Sequence, residues 1–303
     1  LSELERRCQK FGHPQVGNWM ARRVARPTAL RITRVIAPWG ISANAVTLAA
    51  WLIAFCGAAA CCRGTPGGWL LGAGLLQIWY LLDHVDGQLA RLRRTESLDG
   101  VALDYLMHHV VLMVVPLGLG LGLIWRGLDP TWMLLAIAWM LALLIGQLGA
   151  DVRYKAFIQR LKRVRGELTV VGGAGGVPSP SEPMPRAWRP LVGWLAAKGC
   201  EIHVIMNTLA GVAIVQLLIG DASLWLGRGF VLVASAAAAA RTGVVLRRLL
   251  GESRAEEEFA RWYRPPAGSC LVYEEGWWVV VNASAAPLAQ SRDAAGSISA
   301  AEN

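Results

Sequence analysis

Asp83, Asp86, Asp104 and His108 stand out because long uncharged, apolar runs lie on either side of them. The stretch from Asp83 to His109 reads DHVDGQLARLRRTESLDGVALDYLMHH. Carboxylates beside a hydrocarbon core are expensive to desolvate, so their presence there points to function. On a helix turning about 100° per residue, Asp83, Asp86, Gly87 and Ala90 share one face. Gly100, Asp104 and His108 recur every four residues and form a single stripe on the next helix. The short link between the helices makes them antiparallel neighbours, so the two stripes can face each other. Gly87, Ala90 and Gly100 remove side-chain bulk and leave room for a flat ligand. Three carboxylates and an imidazole converging in this way suit a hard divalent cation, or two cations about 3.5–4 Å apart. Unpaired, the carboxylates would repel one another; a metal and a phosphate substrate relieve that together. Arg91, one turn beyond Gly87, brings positive charge to a phosphate. His109 lies off the stripe and reads as a polar residue near an interface.

The elements that position these groups are membrane spans. Hydrophobic residues make up 54% of the 303-residue chain and charged residues 17%, a departure from the usual soluble mix of about half and a quarter. About 20 apolar residues cross a hydrocarbon core of about 30 Å. Six segments qualify: 43–62, 67–82 with a helix running on through Arg91, 101–125, 132–150, 203–220 and 229–246. Several of the 14 Trp residues lie at the ends of these runs, where membrane interfaces favour them. Eight Lys/Arg precede the first span, Arg91, Arg93 and Arg94 separate spans two and three, and nine lie between spans four and five. The opposite connectors hold little beyond Arg63, Arg126 and Arg228. The positive-inside rule then puts both termini and the acidic motif on the cytoplasmic side. A net charge of +9 is thereby explained by topology rather than by nucleic acid, and no nucleic-acid partner is expected.

Outside the spans, Pro27 to Ile36 alternates Arg31 and Arg34 with apolar residues and predicts a short amphipathic helix lying in the membrane interface. The expected organisation is a basic, amphipathic cytoplasmic segment over 1–42, a six-helix membrane domain over 43–250 and a partly disordered cytoplasmic tail over 251–303. The Gly172–Pro190 loop, with GGAGG and PSPSEPMP, reads as flexible and exposed. In the tail, CLVYEEGWWVVV predicts a small hairpin turning at Glu275-Gly276. The six cysteines show no paired or zinc-binding spacing and are expected to be reduced. No cleavable signal peptide is expected ahead of the first span.

The motif resembles that of the CDP-alcohol phosphatidyltransferase family, whose pattern is D-x2-D-G-x2-A-R, about eight residues, then G-x3-D-x3-D. Here Asp83, Asp86, Gly87, Ala90, Arg91, Gly100 and Asp104 match with the right spacing, and His108 stands where the last aspartate belongs. The resemblance implies an all-α, polytopic membrane protein of six transmembrane helices with an N-terminal interfacial amphipathic helix. It implies transfer of a phosphatidyl group from a CDP-alcohol, commonly CDP-diacylglycerol, to an acceptor hydroxyl with release of CMP. Asp83, Asp86 and Asp104, with His108, would hold Mg²⁺ or Mn²⁺, two ions in all. Gly87 and Ala90 would face the cytidine nucleotide, with Asp83 and Gly100 beside it and Arg91 near its phosphates. The family's final aspartate is its general base. An imidazole at 108 is able to take that proton, with Asp104 beside it, or to bind the metal; a base supplied elsewhere and a decayed enzyme are the other readings. The resemblance further implies a homodimer in a prokaryotic inner or plasma membrane.

A phosphorylated acceptor would need a basic pocket. Arg153 and Lys155 past span four, and Lys198 before span five, are the candidates, although cations in this loop also serve to set topology. The competing class is a transporter or channel with an Asp/His ion path. That class favours sites at the bilayer midplane and inverted repeats, whereas this motif sits at a membrane edge and no repeat is found.

Overall fold

The computed structural model describes residues 2–9, 17–171, 187–220, 223–251 and 254–285. They divide into two compact units, Leu1–Gln147 with Val177–Val244, and Leu148–Gly176 with Val245–Asn303. Most of the Gly172–Pro190 loop and the polar end of the chain lie outside the described residues.

Among the described residues, the regular structure of the first unit is all helical. It holds α1 (Ser2–Cys8), α2 (Arg26–Ile36), α3 (Ala43–Cys61), α4 (Pro66–Arg93), α5 (Leu98–Trp125), the first part of α6 (Thr131–Leu161), α7 (Trp188–Gly199), α8 (Ile202–Leu218) and most of α9 (Trp225–Gly251). Four of these, α3, α5, α6 and α9, are long and apolar enough to cross a membrane, with mean hydropathy between 1.7 and 2.1. The pair Leu191–Gly199 and Ile202–Leu218 adds a fifth span if its 80° bend is counted within one crossing. The chain is therefore a polytopic, integral membrane protein. Six spans are not reached on this measure. The difference is α4, whose 28 residues reach about 42 Å at 1.5 Å per residue. Its glycines, Gln77, Asp83 and Asp86 dilute the apolar content.

Local signals explain where these helices start and stop. Ser42, Thr65 and Ser97 cap α3, α4 and α5 by accepting from the backbone N–H of Ala45, Gly68 and Gly100, at 3.0–3.1 Å. Pro66 occupies the first turn of α4, where its missing N–H is harmless. At the other end of α4, Arg94 takes a left-handed conformation (φ 56°), and Thr95 N–H reaches back to the Ala90 carbonyl at 2.9 Å. This stops the helix with a Schellman-type turn and returns the chain into α5 within four residues.

Small residues bring α4 and α5 up against α3. A Cβ on Gly72 would lie 2.4 Å from Cys61 Sγ, one on Gly118 2.6 Å from the Ala58 carbonyl, and one on Gly122 2.4 Å from the Cys61 carbonyl. Such close packing is the main cohesive force available between helices in lipid. On the outer side of α3, Leu48, Leu52 and Phe55 are exposed at helical spacing, as a lipid-facing stripe requires. Over Pro27–Ile36 the chain forms α2, with Ala29, Leu30 and Thr33 buried and Arg31 and Arg34 exposed. Its buried face is fastened to α4 by Gln88, which accepts from Thr33 Oγ1 at 3.2 Å and donates to the Arg26 carbonyl at 3.1 Å. Arg93 of α4 donates to the carbonyls of Ala37 and Ile41, fixing the corner between α2 and α3.

The second unit contains the ends of α6 and α9, α10 (Arg254–Trp262) and strands β1 (Val164–Arg165), β2 (Thr169–Val170), β3 (Tyr263–Arg264), β4 (Ser269–Glu274) and β5 (Trp277–Asn282). The hairpin expected at Glu275-Gly276 forms between β4 and β5, paired from Glu274↔Trp277 to Ser269↔Asn282. Both turn residues have positive φ, the conformation a two-residue hairpin loop favours. β1 adds to β5 in parallel, and β2 pairs with β3; these short strands depart from an all-helical chain. Arg160 binds Glu256 through both oxygens and stacks over the rings of Phe259 and Trp278.

Candidate active site

The acidic stripes of α4 and α5 do face each other, and the side chains that meet there lie within the first unit. Asp83 Oδ1 lies 3.6 Å from His108 Nε2, and Asp104 Oδ1 lies 3.5 Å from His108 Nδ1. One ligand atom from each of Asp83, Asp104 and His108 can be chosen so that all lie within 4.8 Å of one another. The imidazole is held by its own helix, since His108 Nδ1 is 2.9 Å from the Asp104 carbonyl oxygen. A carbonyl only accepts, so Nδ1 carries the proton and, in the neutral ring, the lone pair belongs to Nε2, which faces Asp83. The buried Trp79 ring meets the imidazole edge-on at 5.6 Å and restricts its orientation.

Asp86 is the most enclosed of the acids. It accepts a 2.6 Å hydrogen bond from Thr47 Oγ1 of α3. It lines a cavity of about 220 Å³ together with Asp83, Asp104, Gly87, Ala90, Arg91 and Gly100. Every residue of the motif except His108 thus lines this cavity, with His108 beside two of its carboxylates. Gly87 lets Arg91 fold over the cavity, because a Cβ there would lie 3.3 Å from both terminal guanidinium nitrogens. Arg91 Nε donates to the Cys8 carbonyl of α1, and Nη1 is 4.0 Å from Glu96. A Cβ on Gly100 would press on Ser97 Oγ at 3.2 Å and lie 3.7 Å from Asn44 Oδ1. This donor set fits a divalent cation. Carboxylate oxygens predominate, they converge on one small region, and the one nitrogen has its lone pair turned inwards.

Of the three basic residues expected around an acceptor, Lys198 shares the first unit with this cavity but is not among the residues that line it. Lys198 lies at the end of α7, bound to Glu201 at 2.6 Å, and Glu201 Oε2 is 3.4 Å from His203 Nε2. Arg153 and Lys155 belong to the second unit, where Arg153 pairs with Glu258 at 2.8 Å and Lys155 is exposed. Conversely, Asn44, Thr47, His84, Arg26 and Gln9 line the cavity without having been picked out from the sequence. Asn44 and Thr47 did leave a trace: they are polar residues three apart at the start of an apolar run. His84 sits beside Asp83 in the motif, with its Nδ1 2.9 Å from the Tyr80 carbonyl. Gln9 had no such signal.

Residues 40–164 match the family model described as CDP-alcohol phosphatidyltransferase. No curated protein matches the sequence. Among solved structures, the chain is similar to the apo form of Mycobacterium tuberculosis phosphatidylinositol phosphate synthase. The identity is 16% and the TM-score 0.49, over 74% of this chain and 97% of that one. The same enzyme with CDP-DAG bound gives 17% and 0.46, over 77% and 96% of the two chains. Residues 40–164, the stretch that is similar to the CDP-alcohol phosphatidyltransferase family, carry all three aspartates, Arg91 and His108, so the resemblance read from the motif holds.

Proposed function

We propose that the protein transfers a phosphatidyl group from a CDP-alcohol such as CDP-diacylglycerol to an acceptor hydroxyl, releasing CMP, in phospholipid synthesis. The observation that carries this reading is the convergence of Asp83, Asp104 and His108 beside a cavity that Asp86 and Arg91 also line. Asp83, Asp86, Asp104 and His108 would hold Mg²⁺ or Mn²⁺, two ions by family resemblance. When bound, the cations supply Lewis-acid neutralisation of the diphosphate and of the leaving CMP. Gly87 and Ala90 offer a flat wall to the nucleotide, and Arg91 presents its terminal nitrogens over Gly87 to the phosphates. His108 Nε2 stands where the family has its base, with a lone pair able to take the acceptor's proton or to bind a cation. Lys198, Arg153 and Lys155 remain proposed acceptor contacts.

The same reading assigns α4 as a sixth span, α2 as a helix lying in the interface, both termini and the site to the cytoplasmic side of a prokaryotic membrane, and a homodimer as the assembly. It keeps the partition into a leader over 1–42, a membrane domain over 43–250 and a tail over 251–303. The test is incubation of purified protein with CDP-diacylglycerol, Mg²⁺ or Mn²⁺ and a panel of alcohols, with mass spectrometry of the lipids. A new phospholipid from one acceptor is expected; CDP-diacylglycerol left intact with every acceptor contradicts the reading.

A further inference from the structure

The metal centre is where this chain departs from its family, and the departure has a chemical direction. We infer that His108 binds the cation through Nε2 and makes the site select a first-row transition ion, Mn²⁺ over Mg²⁺. The inference rests on the transferase reading only for there being a cation at the site. Its own basis is the imidazole's fixed orientation. Nδ1 is committed to the Asp104 carbonyl at 2.9 Å, and Trp79 closes one side of the ring. The remaining lone pair, on Nε2, faces Asp83 Oδ1 at 3.6 Å, and His108, Asp83 and Asp104 can each offer one ligand atom within 4.8 Å of the others. A ring N–H given to a backbone carbonyl, with the other nitrogen turned to a carboxylate cluster, is how metal-bound histidines are generally held.

The identity of the donor then decides between ions. Mg²⁺ demands hard oxygen ligands and gives up its waters reluctantly. Imidazole nitrogen offers Mg²⁺ little, whereas Mn²⁺ shares the preference for carboxylate oxygen but, as a first-row transition ion, accepts a nitrogen donor more readily. Replacing the family's fourth carboxylate by a neutral ring also removes one negative charge, and Mg²⁺ depends on charge more than a transition ion does. Asp83 and Asp104 still supply anionic oxygen, and Asp86 is steadied by Thr47 close by, so the site keeps enough charge for a dication.

The test is Mn²⁺ binding to the full chain in detergent, read by electron paramagnetic resonance without substrate. Bound Mn²⁺ should show hyperfine coupling to nitrogen, and Mg²⁺ should displace it only in at least ~10-fold excess. His108→Asp should abolish the nitrogen coupling and reduce the preference for Mn²⁺ by ~5-fold or more, as an all-oxygen site requires. His108→Asn serves as a second variant, and an unchanged unfolding temperature shows that the coupling was not lost through misfolding. Nitrogen coupling that survives both His108 variants and disappears in His84→Gln overturns the inference, as does equal affinity for the two ions in the wild type. A chain that binds Mn²⁺ through nitrogen yet never releases CMP contradicts the transferase reading alone. Turnover without nitrogen coupling contradicts this inference alone, as does no Mn²⁺ binding in a chain that releases CMP with Mg²⁺; no Mn²⁺ binding together with no CMP release on either ion contradicts both.

Discussion

Asp83 and Asp104 approach one imidazole from two helices, and Asp86 is anchored from a third by Thr47. The Thr47 hydroxyl therefore holds in place a carboxylate on which the proposed metal site depends. A hydrogen bond to a charged group contributes about 1.5–3 kcal/mol, so Thr47→Val should lower the rate of CMP release by at least about tenfold. An unchanged rate at saturating metal would show that Asp86 does not depend on α3. The aspartates were legible in the sequence because charges at helical spacing between apolar runs are too costly to keep without a ligand to offset them. Thr47 was not, because a lone hydroxyl inside an apolar run is usually satisfied by its own helix, and the Ala43 carbonyl, 3.2 Å from Thr47 Oγ1, offers that alternative acceptor for its single proton. Lys198 and Arg153 show the converse limit. Sequence displays a cation but not its partner, and here the partners are Glu201 and Glu258.

α4 and α5 owe their facing stripes to the four-residue turn at Arg94–Ser97 and to their common packing on α3. The turn was readable as short, whereas the left-handed Arg94 was not, because no glycine marks it. α1 takes part in the site in a way that nothing in its sequence announces. Its last carbonyl, on Cys8, holds Arg91 Nε, leaving the terminal nitrogens over Gly87. Deleting residues 2–9 should free that side chain and raise the KM for the CDP-alcohol about tenfold, the loss of one charge-assisted hydrogen bond, with kcat within about twofold. In an Arg91→Ala background the same deletion should add nothing; additive losses would show that α1 acts otherwise. The break between α7 and α8 and the pairing of β1 with β5 were beyond sequence reading. An 80° bend and a two-residue strand are fixed by the neighbours they pack on rather than by local pattern.

Over the whole chain, the proposed orientation, with the loop between α4 and α5 on the cytoplasmic side, rests on the alternation of basic and neutral connectors. In a chain with its six cysteines replaced, Glu96→Cys should react with a membrane-impermeant maleimide only from the cytoplasm and Asp129→Cys only from outside; the reverse would overturn the orientation. The span count was less legible than the fold class. Hydropathy averages over a helix, and α4 combines an apolar length with the glycines and acids that its packing and its site demand. The account as a whole stands on those acids acting as one metal-dependent centre. The measurement that tests it most directly is CMP release from CDP-diacylglycerol by wild type, Asp83→Asn and Asp104→Asn, each with Mn²⁺, with Mg²⁺ and with chelator. Release should require a divalent cation and fall by at least ~10²-fold in either variant, the loss of a main electrostatic contribution to catalysis. Release that persists in chelator, or that is near normal in both variants, would contradict it.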